Sequence, residues 1–141
     1  MASVIYQSFI EDALIGNIDC DTDTFKAMAT TSAYTENNDT HNRRDDVTNE
    51  VTGTGYTAGG ATATVTVTRD DANNRVNIGL GGVSWGPGAT IASVRKIVYY
   101  KSRGGASSAD ELVACIDNGA DVSVVAGTLT VSASTIRNQL P

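Results

Sequence analysis

Histidine and tryptophan occur once each in this chain, and cysteine and proline twice each. Each scarcity closes off a class of function. His41 is the sole imidazole a serine- or cysteine-nucleophile site could use. It lies in a polar stretch, and neither Cys20 nor Cys115 has a nucleophile signature around it. Two cysteines without a C-x-x-C pair read as reduced and structural. With no triad and no metal-ligand set, the chain reads as a non-enzyme that needs no cofactor. Aromatic residues make up 6% of the chain, and most fall on inward positions, which argues against a sugar-binding platform. No apolar run approaches the roughly 18 residues of a helical membrane span. Glu11 and Asp12 interrupt the first apolar stretch and no basic segment precedes it. No secretory leader is therefore expected, and synthesis in the cytoplasm is.

Charge is scarce as well, at 18%, and the net charge of −6 argues against a sequence-independent grip on nucleic acid. It is unevenly placed. Residues 1–50 hold ten acids against three bases, a net −7, and residues 51–141 hold six acids against seven bases, a net +1.

What the chain does have is threonine, alanine, glycine and valine, which suit strands and tight turns. Residues 61–68 alternate without a fault, Thr at every even position and Ala or Val at every odd one. A period of two sends Val65 and Val67 to a core and Thr64 and Thr66 to solvent. Residues 69–74 supply a turn, and Val76, Ile78 and Leu80 alternate in a second strand. Apolar parity changes at Gly81-Gly82, which marks a bulge or strand break. Gly86-Pro87-Gly88 is expected to turn the chain. Residues 91–100 are apolar on both faces, as in a central strand or one that meets another subunit.

Elsewhere, Ser8-x-x-Glu11 has capping-box spacing for a short helix over 9–15 that Gly16 stops. Residues 4–6 read as an edge strand or arm, and Phe25 to Thr30 as a strand. Residues 31–50 form a long polar loop, too polar for a core of its own and expected to order mainly against a partner. Residues 112–116 read as a buried strand by their length or as a helix capped by Ser108-x-x-Glu111 and ended by Gly119, Asn118-Gly119 as a turn, 128–133 as a last strand and 134–141 as a tail. The sum is one all-β domain over 1–141, a β-sandwich of jelly-roll form with one short N-terminal helix.

Two motifs mislead. Gly53-x-Gly55 with Gly59-Gly60 lacks phosphate-loop spacing and precedes a strand. Asp19-x-Asp21-x-Asp23 has Thr24 and Thr30 where a calcium loop needs Gly and Glu. A looser cation contact at these three aspartates stays open.

Several strings together carry a family likeness. They are Asn17-Ile18-Asp19-Cys20-Asp21-Thr22-Asp23-Thr24-Phe25-Lys26, Thr31-Ser32-Ala33-Tyr34-Thr35, Asp39-Thr40-His41, Asn49-Glu50-Val51-Thr52-Gly53-Thr54-Gly55-Tyr56-Thr57-Ala58-Gly59-Gly60 and Ile116-Asp117-Asn118-Gly119-Ala120-Asp121. Over nearly its whole length the chain resembles the capsid cement (decoration) proteins of tailed bacteriophages. The resemblance implies a jelly-roll subunit on the capsid surface of the virion. Such a subunit associates with itself and clamps the major capsid protein. Contact candidates with that protein are Arg43, Arg44, Arg137 and Leu140. Ile97 and Tyr99 are the candidates for a homodimer contact. A tail or fibre module that binds a host receptor or glycan is the alternative.

Overall fold

The computed structural model describes residues 3–139, with side chains through Arg137. The fold is all-β apart from one short helix and consists of two antiparallel sheets. The larger sheet has the order β1-β8-β7-β2-β4, from Val4–Ile5 (β1), Leu112–Val131 (β8), Val83–Lys101 (β7), Phe25–Thr30 (β2) and Ala61–Ala63 (β4); Gly53–Thr54 (β3) also pairs with β7. The smaller sheet has the order β5-β6-β9, from Val65–Asp70, Arg75–Leu80 and Ser134–Gln139.

Two neighbouring rungs of the larger sheet show how the core is divided. Ala27, Tyr99 and Ala114 lie side by side on one rung, Met28, Val98 and Cys115 on the next. Successive residues point to opposite faces. The first rung enters the main core with Phe9, Phe25, Trp85, Leu80 and Val65; the second enters a smaller core with Tyr6, Tyr34, Tyr100 and Leu112. This is why residues 91–100 are apolar on both sides. Each face is covered by the chain itself, one by the smaller sheet and the other by Tyr6 and the loop 31–50.

The alternating stretch 61–68 is cut at Thr64, so Ala61–Ala63 pairs with β2 while Val65 onward pairs with β6. The chain passes between sheets at two further places, Gly81-Gly82 and Ser132-Ala133. These passages are adjacent, for the Gly81 amide donates to the Thr64 carbonyl at 2.7 Å. A Cβ on Gly81 would sit 2.1 Å from Thr64 Oγ1 and 3.0 Å from the Thr64 carbonyl oxygen, so a larger residue would force Thr64 to shift. Val65 and Val67 share a face as expected. Only Val65 reaches the core at 9% exposure, whereas Val67 is 46% exposed. The expectation that Val67 is buried is corrected: the large sheet does not extend over the far half of the small one.

Other expectations need similar correction. The helix runs Gln7–Leu14 (α1) with Tyr6 at its N-cap and no side-chain cap. Ser8 lies inside it, and its hydroxyl has no partner. Docking of Tyr6 in the second core, where its hydroxyl meets Tyr34 at 2.8 Å, sets the start. Gly16, at φ +85°, does end the helical turn. Gly86-Pro87-Gly88 does not reverse the chain, because β7 continues through it with a shift of register between Trp85 and Ala89. Asn118-Gly119 likewise lies within β8, where Val94 pairs with Val122 and Lys96 with Asp117, leaving the residues between bulged. The expected tail is mostly a strand. Residues 134–139 pair with β6 in full register, and Ile136 is 7% exposed.

Candidate interaction surface

The polar loop 31–50 is fastened within the chain. Tyr34 is buried, its hydroxyl within 2.8 Å of Tyr6 Oη and 3.0 Å of His41 Nδ1, and its ring stacks on His41. Burial pushes the Tyr34 phenol up to about 12. Lys96, on the second face of β7, donates to the Tyr34 carbonyl at 2.8 Å and pairs with Glu36. Both charged side chains are at most 4% exposed. The expectation of a loop that orders mainly against a partner is corrected. Tyr34 and Val47 give it an apolar underside, and its charges find partners on α1, β7 and the turn before β8.

The two arginines proposed as anchors are among those charges. Arg43 Nη1 lies 2.9 Å from Asp12 Oδ2, and Arg44 Nε lies 2.8 Å from Asp110 Oδ2. Arg44 also stands over the Tyr100 ring at 5.2 Å. Asp12 and Asp110 are 4% and 1% exposed. Removing either arginine would strand a buried carboxylate. Asp46 closes the same turn by accepting from the amides of Asn42 and Arg43. Burial pushes its carboxyl up, but those two amides together with the nearby positive charge of Arg43 hold it below the usual range.

The other sequence candidates separate. Ile97 and Tyr99 are 3% and 0% exposed, inside the main core, and Tyr99 Oη donates to the Gly81 carbonyl at 2.9 Å. They are corrected as dimer contacts, since no second subunit can reach them. Arg137 is exposed on the polar face of β9, beside Thr66, Thr68, Arg75 and Asn77. Leu140 lies outside the described residues. Of the three aspartates 19, 21 and 23, Asp23 accepts from Lys101 at 2.7 Å and from the Asp19 amide, while Asp19 accepts from the Asp21 amide. They close a turn. Among the described residues no group of three or more His, Cys, Asp or Glu could hold a metal ion.

The string Asn49 to Gly60, the most specific in the sequence, has an architectural role. Glu50 Oε1 accepts from Tyr56 Oη at 2.7 Å and from the Gly59 amide at 2.6 Å. Tyr56 Oη in turn accepts the Ala29 amide, and the Val51 amide donates to the Ala29 carbonyl. The string thus satisfies the edge of β2 beyond the reach of β4. At Gly60, φ is +77° and a Cβ would stand 1.9 Å from the Ala27 carbonyl oxygen.

What remains outside is aliphatic. Ile10 and Leu14 on α1 and Ile15 at its C-cap are 47%, 81% and 65% exposed, forming a rail beside Gln7 and Glu11, and Ile5 on β1 is 38% exposed. Val125 on β8 is 81% exposed and Val67 on β5 46%. Periodicity alone hid the rail. A helical period puts Ile10 and Leu14 on one face with Phe9 and Ala13, whereas only Phe9 and Asp12 are buried. All eight aromatic rings are buried or half-buried, so none offers a sugar a stacking surface. Comparison with protein-family models, with curated proteins and with solved structures finds no match for this chain.

Proposed function

We propose that this chain is a structural virion protein that binds the outer surface of a phage capsid, braces neighbouring copies of the major capsid protein, and acts as a homodimer. The observation that carries this reading is the contrast between a chain fastened to itself by ion pairs on buried carboxylates and an outer face that displays a row of large aliphatics. Arg43, Arg44 and Lys96 hold the loop down, and Ile5, Ile10, Leu14 and Ile15 stay out. A rigid body with an apolar rail suits a permanent protein partner. A receptor- or glycan-binding tail module is less well supported, because no aromatic ring is left exposed. The jelly-roll form within the all-β class belongs to this proposal.

The capsid contact moves with this reading from Arg43 and Arg44 to the α1 rail. Repeated over a shell, even a weak contact of this size sums to a large stabilisation. The test is Leu14→Glu with Ile15→Glu, at positions too exposed to unfold the domain. Virions assembled with this variant should carry less of it and lose integrity at lower temperature. A full complement and unchanged heat resistance would remove the rail from the contact.

A further inference from the structure

We infer that the free edge of β5 is a self-association surface, where two copies of this chain pair antiparallel about a two-fold axis. This deepens the homodimer reading by naming its contact, now that Ile97 and Tyr99 are known to be buried. Sheet edges are normally blunted by shortness, charge, proline, a bulge or a cover. The larger sheet follows that rule, with β1 of two residues and β4 of three at its margins. β5 does not. It has six residues, lies at the margin of its sheet, and pairs in unbroken register with β6 alone among the described residues. Its central residues Thr66, Val67 and Thr68 are exposed, β-branched and uncharged. β9, at the other margin, runs into residues that are not described.

Side chains on this sheet fit a second copy in particular. Val65, Val67, Ile78 and Leu80 share one face, and its outer part, with Val67 46% exposed, is incompletely covered. A two-fold axis through a residue keeps the apolar faces of both copies on one side; an axis between residues would set valine against threonine and turn them apart. Charge then excludes two centres, and the exposed Val67 is best covered by its own copy. An axis at Arg69 would oppose Arg69 to itself, and one at Asp70 would oppose Asp70 to itself. An axis at Val67 opposes Val67 to Val67, Thr66 to Thr68 and Val65 to the stem of Arg69, with no like charges facing. The nearby charges are already neutralised in pairs, Arg69 with Asp71 and Arg75 with Asp70, both at 2.8 Å. Residues 51–141 carry a net +1, whereas residues 1–50 carry −7 and would repel their counterpart. The two three-stranded sheets would thereby become one continuous sheet.

The full-length protein at micromolar concentration is tested by analytical ultracentrifugation. The wild type should sediment as a dimer. Val67→Lys, at an exposed position, should sediment as a monomer with an unchanged far-UV spectrum, and Val125→Lys, on β8, should remain dimeric. As a second measurement, Val67→Cys should give a disulfide-linked dimer on mild oxidation where the wild type gives none, since directly opposed residues bring their Cβ atoms within about 5 Å. A wild-type monomer, or a dimer that survives Val67→Lys and does not cross-link through Val67→Cys, overturns the inference. A wild-type monomer also removes the homodimer from the proposed function, whereas the capsid-binding reading keeps its own test on the α1 rail.

Discussion

Replacing Lys96 by methionine tests the buried framework most directly. The substitution keeps the length of the aliphatic stem and deletes the charge. Lys96 and Glu36 have side chains 4% and 3% exposed, and Lys96 also donates to the Tyr34 carbonyl at 2.8 Å. Without the ammonium, Glu36 is left as an unpaired buried carboxylate or must take up a proton, and the carbonyl loses its donor. Breaking a buried pair from one side costs about 3–5 kcal/mol. At about 3 °C per kcal/mol for a domain of this size, the melting temperature should fall by roughly 10 °C. Adding Glu36→Leu removes the stranded charge and leaves the carbonyl as the main loss, about 1–3 kcal/mol. The double variant should therefore be more stable than the single Lys96→Met. Urea denaturation of the wild type, both single variants and the double variant measures the coupling. If Lys96→Met costs less than about 1 kcal/mol, or the two changes simply add, the pair does not fasten the loop in the manner described.

The remaining expectations can be checked on the same purified protein. Val65→Asp should cost several kcal/mol and Val67→Asp little, read as a shift of denaturation midpoint, because only the first valine is buried. Gly60→Ala should destabilise more than Gly104→Ala. The two share a φ near +77°, but a Cβ meets the Ala27 carbonyl oxygen at the first and open space at the second. The strain common to both is about 1 kcal/mol, and any larger loss at Gly60 is the clash. In alkali, stability should hold in full up to pH 10.0, the ordinary phenol value, and fall as pH rises toward about 12, where buried Tyr34 ionises. Absorbance at the phenolate band should rise together with unfolding. In acid, Asp46 and Asp117, both held below the ordinary carboxylate value, contribute stability that is present above that value and lost as pH falls beneath it. Circular dichroism followed against pH reads both limbs.

The strands that were legible in the sequence were those with a simple period. Phe25–Thr30 and Arg75–Leu80 announced themselves because turn residues flank an unbroken alternation. The break at Gly81-Gly82 showed as a change of parity. Periodicity could not report which sheet a strand joins, so the cut at Thr64 was invisible: the alternation continues through it while the partner changes from β2 to β6. Glycine and proline in β7 and β8 read as turns because local chemistry does not distinguish a bulge from a reversal, and long-range pairing decides. The loop 31–50 was read from its polar composition, which conceals that Tyr34 and Val47 seat it in a core. The charge pairs Arg43–Asp12 and Arg44–Asp110 join residues far apart in sequence, where local pattern gives no signal. For the candidate surface, the exposed rail needed the structure, because an amphipathic pattern names a face without saying whether anything covers it.

The three adjacent passages between the sheets have a mechanical consequence. At Thr64, Gly81-Gly82 and Ser132-Ala133 the small sheet hangs from the large one by strand ends on a single side. Val65, Leu80 and Ile136 seat that end, while the tip at Asp71–Asn73 has no buried residue. Such a leaf bends about its attached margin, so displacement should grow with distance from the three threads. Amide exchange should follow the same gradient, slow at Leu80 and fast toward Arg75. Two leaves joined along β5 would brace each other at their free ends, so the gradient should flatten when the chains pair.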